Sequence, residues 1–114
     1  MTEMFAQGDL LIERVADVTP SGTIVNPDAT GAIVLAEGEL TGHRHAIFDR
    51  VTMFREDALA RDIPGGLYVG HVKVSNGSVV IRHQEHSPIT LPEGVWRVRR
   101  QRELEPKDAT LVSD

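Results

Sequence analysis

The sequence predicts an all-β domain, a small antiparallel β-barrel or sandwich with at most one short helical turn. Its apolar residues come in short runs bounded by Gly, Pro, Asn and Asp, and no long segment has helical periodicity. An Asn-Gly pair at 76–77 between two β-rich stretches adds the strongest short-range hairpin signal. Because 114 residues suffice for one hydrophobic core but not two, we expect a single β domain over 1–114, with a loosely held tail at 105–114.

Each predicted strand rests on a run of alternating or continuous apolar residues between turn signals. The first follows the turn Gln7-Gly8-Asp9, and the run at 32–36 is apolar on both faces, as in a buried strand. A charged, alanine-containing stretch at 55–62 is the one candidate helical turn, and Pro64 follows it. The predicted strands cover 9–15, 23–25, 32–36, 43–48, 51–54, 67–74, 78–83 and 95–104.

The predicted hairpin around 76–77 gives a register for one of the histidines. If Ser75 faces Ser78 across a two-residue turn, then Gly70 faces His83, and both point toward the core. Glycine would leave room there for an imidazole or for something bound to it. The same alternation points His86 outward, unless the strand end twists or bulges.

Four of the five histidines lie in two short segments, at 43–45 and 83–86. On a strand, His43 and His45 point the same way, and neutral imidazole is a common ligand for Zn, Ni and Fe(II). The candidate metal ligands are His43, His45, His83, His86 and Glu85, with Glu37 and Glu39 as further carboxylates near them. The same pattern is also typical of a buried hydrogen-bond network without metal, in which Glu85 would pair with Tyr68 or an arginine.

Composition and charge argue against several classes of function. A formal net charge of −5 disfavours general affinity for nucleic acid or anionic membrane. The chain has no cysteine, which excludes disulfides, thiolate metal sites and cysteine nucleophiles. No basic and apolar leader opens the sequence, and no apolar run approaches the roughly 20 residues of a membrane span, so we expect a soluble cytoplasmic protein.

An arginine-rich run at 97–102 stands out in this acidic chain. It could contact phosphate or RNA through Arg97, Arg99, Arg100 and Arg102. Because these arginines alternate across both faces of a strand and the chain has 17 acidic residues, a solvated or subunit-facing strand with salt bridges is the favoured interpretation.

The pair His43-x-His45, followed much later by a Pro-x-Gly turn at 92–94, resembles the cupin family. That resemblance implies a barrel that holds a metal ion with histidines and an acidic residue. The implied ligands in this sequence are His43, His45 and Asp49, with His83 or His86 supplying the third histidine.

Most of the chain resembles more closely a set of uncharacterised small proteins of bacteria and phages. The shared motifs are Gln-Gly-Asp, Gly-Glu-x-Thr-Gly-His-x-His, His-x-Glu-His-x-Pro-Ile and Arg-Gln-Arg-Glu, here at 7–9, 38–45, 83–89 and 100–103. The resemblance makes the histidine segments the hallmark of the group and implies no activity.

Two hypotheses follow from the sequence. In the first, the domain is cupin-like in outline and binds a divalent transition metal (Zn, Ni or Fe), which could act on an oxygen-bearing small molecule. In the second, it is a non-catalytic structural or interaction module of a phage or bacterial assembly. Exposed strand edges in small β-proteins are commonly covered by pairing, so we also expect a homo-oligomer.

Overall fold

The computed structural model describes residues 3–37 and 42–101. Within these ranges the chain forms ten short strands and a single 3-10 turn at Asp57–Leu59. The strands are β1 (Met4–Gln7), β2 (Leu10–Val15), β3 (Thr23–Val25), β4 (Ile33–Glu37), β5 (Arg44–Ile47), β6 (Thr52–Arg55), β7 (Tyr68–Val74), β8 (Val79–Arg82), β9 (Ile89–Leu91) and β10 (Gly94–Arg100).

The strands form two antiparallel sheets. The larger sheet has the order β1-β2-β10-β7-β6-β3, and the smaller has the order β4-β5-β8-β9. The prediction of an all-β fold with one short helical turn is confirmed. Of the two predicted architectures, the described residues form the sandwich-like one, and the sheets do not close into a barrel.

One hydrophobic core lies between the two sheets. It includes Ile12 from β2 and Trp96 from β10 in the larger sheet, and Ile47 from β5 and Ile81 from β8 in the smaller one. These four side chains are fully buried. The alternation along each strand explains the arrangement, because every second side chain of a strand points to the same face.

The predicted hairpin around Asn76 and Gly77 is wrong. Strand β7 pairs with β6 and β10 in the larger sheet, whereas β8 pairs with β5 and β9 in the smaller one. The turn therefore carries the chain from one sheet to the other. Gly77 still has the positive φ of 85° that favours glycine, but its N–H donates to Glu93 Oε2 instead of closing a two-stranded ladder.

Gly70 consequently does not face His83. It lies opposite Val98 of β10. A Cβ atom at this position would come within 2.9 Å of Met53 Cε and 3.1 Å of the Phe54 carbonyl oxygen. Glycine is thus favoured where β7 packs closely against β6, since a side chain there would have to displace the end of Met53 and crowd the Phe54 carbonyl oxygen.

Several predictions from the sequence are not tested by the described residues. The predicted tail at 105–114 and the last residues of the predicted final strand lie outside the described residues, where β10 ends at Arg100. Helices long and apolar enough to cross a membrane are absent from residues 3–37 and 42–101. Homo-oligomerisation, a small-molecule ligand and cytoplasmic location stay predictions.

We predict that Ile81→Ala lowers the free energy of unfolding by about 2 to 5 kcal/mol, because it opens a cavity at a fully buried position between the sheets. The matched change Ile24→Ala removes the same atoms from an edge strand where the side chain is 49% exposed, and should cost less than about 1 kcal/mol. Urea denaturation of both variants would measure the difference. Equal losses would contradict the assignment of Ile81 to the core.

Candidate functional site

Four histidines from two segments lie together at one end of β5 and β8, the two central strands of the smaller sheet. Strand β5 pairs with β8 in a register that puts Ala46 opposite Arg82, so His45 and His83 occupy neighbouring positions. The ring centroids are 4.4 Å apart for His45 and His83, 4.6 Å for His83 and His86, 5.6 Å for His43 and His83, and 6.2 Å for His45 and His86. We call these four side chains the histidine cluster.

The members of the histidine cluster differ in their exposure to solvent. His45 is 1% exposed and shares the inward face of β5 with Ile47. His43 precedes the strand and is partly exposed, and its Nδ1 lies 3.7 Å from Glu85 Oε1. The Glu85 side chain is 61% exposed, so this candidate ligand sits on the solvent side. The suggested pairing of Glu85 with Tyr68 does not occur, since the Tyr68 hydroxyl contacts His71 Nδ1 at 2.7 Å.

Gln7 determines which nitrogen of His45 carries the proton. The Gln7 amide nitrogen lies 3.1 Å from the carbonyl oxygen of Ile81 and 2.9 Å from that of Ser87, and it donates to both. The amide oxygen of Gln7 therefore faces His45 Nδ1, 2.8 Å away, and can only accept. His45 must then hold its proton on Nδ1, which leaves a lone pair on Nε2.

That Nε2 lone pair is buried and faces a carboxylate. His45 Nε2 makes no hydrogen bond within the described part of the chain, and Asp9 Oδ1 lies 3.5 Å from it. Asp9 is itself 2% exposed, and its Oδ2 accepts a hydrogen bond of 2.6 Å from Arg100. Two buried acceptors facing each other are unfavourable unless a proton, a water molecule or a cation lies between them.

His83 carries its proton on the other nitrogen. The backbone N–H groups of Glu85 and His86 both donate to His83 Nδ1, at 3.0 Å and 3.2 Å. Nδ1 is thus an acceptor, and the neutral ring has its proton on Nε2. This pair of bonds stabilises the turn that follows β8 and folds His86 back toward the histidine cluster.

The environment keeps His45 neutral at ordinary pH. Burial lowers the pKa of His45 from 6.5 to about 4, the nearby His83 adds to this effect, and the carboxylate of Asp9 opposes it. Neutral imidazole is the form that binds a metal ion. As the side chains stand, however, no group of three His, Asp or Glu residues in 3–37 and 42–101 is arranged to hold one.

Other candidate residues lie in ordinary structural interactions. Asp49, which the cupin resemblance places among the ligands, accepts the backbone N–H of Val80. Arg97 forms ion pairs with Glu13 at 2.6 Å and Asp62 at 2.8 Å. The salt bridges expected for the arginine run are present at Arg97 and at Arg100, which pairs with Asp9. Strand β10 is, however, an interior strand of the larger sheet and not a solvated or subunit-facing one, and Arg102 lies outside the described residues.

The sequence interpretation missed the contributions of Gln7 and Asp9. It treated both as turn residues, and they do flank Gly8 in the turn between β1 and β2. It did not predict that Gln7 and Asp9 are buried, at 3% and 2% exposed, because the residues that cover and bind them are distant in the chain. The available signal was the Gln-Gly-Asp motif itself, at residues 7–9.

Comparison with known proteins identifies a family without a described activity. The model of the family described as "Domain of unknown function (DUF8820)" matches residues 6–101, and the chain therefore belongs to this family. The matched range contains the histidine cluster together with Gln7 and Asp9. No curated protein and no solved structure matches the chain.

We predict opposite neutral tautomers for two neighbouring histidines: a proton on Nδ1 in His45 and on Nε2 in His83. The reason is that Gln7 can only accept from the first ring, whereas backbone N–H groups can only donate to the second. Long-range ¹H–¹⁵N NMR correlations of the metal-free protein at pH 7 would distinguish the tautomers. The same tautomer in both rings would contradict the arrangement of the Gln7 amide.

We predict that the metal-free protein loses stability as the pH falls from about 6.5 to about 4. In this window an unfolded chain takes up a proton on His45 that the folded chain refuses, so the free energy of unfolding decreases with falling pH. The contribution of His45 reaches about 3 kcal/mol. His45→Asn keeps a donor for Gln7 but has no titrating ring, so its stability should vary less with pH. Equal pH dependence by urea denaturation would contradict the lowered pKa.

Proposed function

We propose that this member of the DUF8820 family binds a divalent transition metal ion, such as Zn, Ni or Fe(II), at the histidine cluster. The observation that carries the proposal is the buried Nε2 lone pair of His45, which faces the Asp9 carboxylate without a hydrogen-bond donor between them. A cation would satisfy both groups. The Nδ1 proton held by Gln7 also leaves Nε2 free as the ligating nitrogen, as is usual for histidine ligands with a hydrogen-bonded second nitrogen.

The spacing of the rings supports the same proposal. Imidazoles that share one tetrahedral ion, with metal–nitrogen distances of about 2.0 to 2.1 Å, have ring centroids about 5 Å apart. The four measured centroid distances lie between 4.4 and 6.2 Å, on either side of this value. The rings are therefore close enough to share one ion once their side chains are reoriented.

Binding would require a change at the turn after β8. His83 Nδ1 is engaged by the backbone of Glu85 and His86, so its ring could ligate through Nε2 only after the proton on that atom is lost or transferred. We therefore expect His45 and Asp9 to provide the first ligands, because the ion would lie between them, with His43 or His86 as the next ligand and His83 or Glu85 completing the set. A ligand set of three would leave one position for water or a small molecule, where the ion supplies Lewis-acid chemistry.

A second candidate function is that of a structural or interaction module without metal. The observation that favours it is the position of Gln7, whose strand β1 belongs to the larger sheet, while its partners His45 and Ile81 belong to the smaller one. In this candidate function, the hydrogen bonds of Gln7 and His45 serve to join the two sheets and have no other role. The two candidates differ in whether His45 Nε2 must bind a cation.

The first experiment is a titration of tag-free, metal-free protein with Zn²⁺, Ni²⁺ and anaerobic Fe²⁺ against a chromophoric chelator. We expect about one equivalent of metal to bind at pH 7, with affinity falling below about pH 6 as imidazoles protonate. His45→Asn should weaken binding more than about a hundredfold, beyond the usual loss for a residue that only orients a ligand.

The matched control is His71→Asn. His71 is also a buried histidine, at 2% exposed, but it lies in the larger sheet and packs on Phe54, outside the histidine cluster. Its substitution should leave metal affinity within about twofold, since buried sites without shared contacts act independently. Equal losses in both variants would show a general effect of destabilisation, and a folded parent protein that binds none of the three ions would favour the structural candidate.

A further inference from the structure

The outward face of the β5 and β8 pair contains a second feature, which meets the histidine cluster only at His83. A cavity of about 200 Å³ opens there. It is lined by Arg44, Ala46, Phe48, Arg82, His83 and Gln84. The alternation of β5 separates it from the core, because Arg44, Ala46 and Phe48 point away from the face that holds His45 and Ile47.

The polar groups that open onto this cavity from both strands are hydrogen-bond donors. Arg44 and Arg82 present guanidinium groups, which have no acceptor. The Gln84 amide oxygen is already used, since it accepts the backbone N–H of Arg44 at 2.8 Å, and this leaves the amide NH₂ group to donate. None of the six lining residues has a carboxylate. A donor-rich lining without an acid favours an anion.

The two arginines differ in a way that suits a binding site. Arg44 is held in place by Asp28, with 3.0 Å between Arg44 Nη1 and Asp28 Oδ2. Asp28 Oδ1 is occupied by the backbone and hydroxyl of Thr30. The guanidinium of Arg82 is exposed and makes no hydrogen bond or ion pair with the residues that the structure describes. In a chain of net charge −5, this cationic pair is a local exception.

The apolar residues that line the cavity indicate that its ligand also has an apolar part. Phe48 is 54% exposed and presents an aromatic ring beside the cavity, and Ala46 is small enough to leave the space open. The volume of about 200 Å³ is below the roughly 300 to 1,000 Å³ of pockets that hold drug-sized ligands. A single ring fits these dimensions better than a nucleotide does.

We propose that this cavity binds a small organic anion, a carboxylate or phosphate monoester attached to one flat apolar ring. The oxyanion would accept from Arg44, Arg82 and the Gln84 amide, where guanidinium groups allow paired, charge-assisted hydrogen bonds. The ring would pack on Phe48. The proposal does not depend on a metal ion in the histidine cluster, because the anion donors Arg44, Arg82 and Gln84 are not metal candidates. Only His83 both lines the cavity and belongs to the cluster.

The test is an NMR titration of the full-length, ¹⁵N-labelled protein in the presence of EDTA. The probes are benzoate, phenyl phosphate, inorganic phosphate and the neutral benzyl alcohol. We expect millimolar benzoate or phenyl phosphate to shift the amide signals of residues 44–48 and 82–84, and the two compounds distinguish a carboxylate from a phosphate ligand. Benzyl alcohol should cause no comparable shift, because it has the ring without the charge.

Variants separate the contributions of charge and ring. Arg82→Gln should weaken binding of the better probe about tenfold or more, since a charge-assisted hydrogen bond is lost. Arg61→Gln, which makes the same change at an exposed arginine outside the cavity lining, should leave affinity within about twofold. Phe48→Ala should reduce the affinity for phenyl phosphate to that for inorganic phosphate.

Three results would overturn the proposal. The first is the absence of localised shifts with either aromatic anion at millimolar concentration. The second is an equal loss of affinity in Arg82→Gln and Arg61→Gln, which would show general electrostatic attraction. The third is inorganic phosphate that binds the parent protein as tightly as phenyl phosphate, which would show that Phe48 contributes nothing.

Discussion

The buried amide of Gln7 is the interaction on which the architecture of the site depends. It accepts from His45 and donates to two carbonyl groups that belong to or follow β8, so one side chain uses its hydrogen bonds to join the two sheets. A buried amide that lost these partners would be strongly unfavourable. The same bonds fix the protonated nitrogen of His45. The hydrogen bonds of Gln7 therefore both hold the two sheets together and determine the protonation of the histidine cluster at His45.

The pairing of β5 with β8 gives this small domain two chemically different surfaces. On the inward face, burial of His45 disfavours the charged imidazole and leaves an unprotonated nitrogen. On the outward face, Arg44, which directly precedes His45, and Arg82 of β8 line a cavity open to water. The period of two along a strand is enough to separate them. A metal ion and an organic anion would thus bind within a few residues of each other through different charged groups, with only His83 next to both.

Local patterns predicted much of this structure, and distant pairings account for what they missed. Short apolar runs gave the all-β class, and the alternation along 43–48 put His43 and His45 on one face without showing that this face is buried at His45. Asn76 and Gly77 gave the correct turn but the wrong partners, because turn chemistry is local whereas the choice of sheet depends on which strands bury the core. The role of Gln7 could not be predicted, since its partners lie 38 to 80 residues away.

The order of the larger sheet also has a consequence for how the chain folds. Strand β10 lies between β2 and β7, and it pairs with both. During synthesis the first nine strands emerge before the one that joins them, so the central hydrogen bonds of this sheet and the burial of Trp96 must wait for it. Closing such long loops is slow compared with forming a hairpin. Until β10 is synthesised, a nascent chain would expose the unpaired edges of β2 and β7. During this interval it would be most prone to bind chaperones or to aggregate.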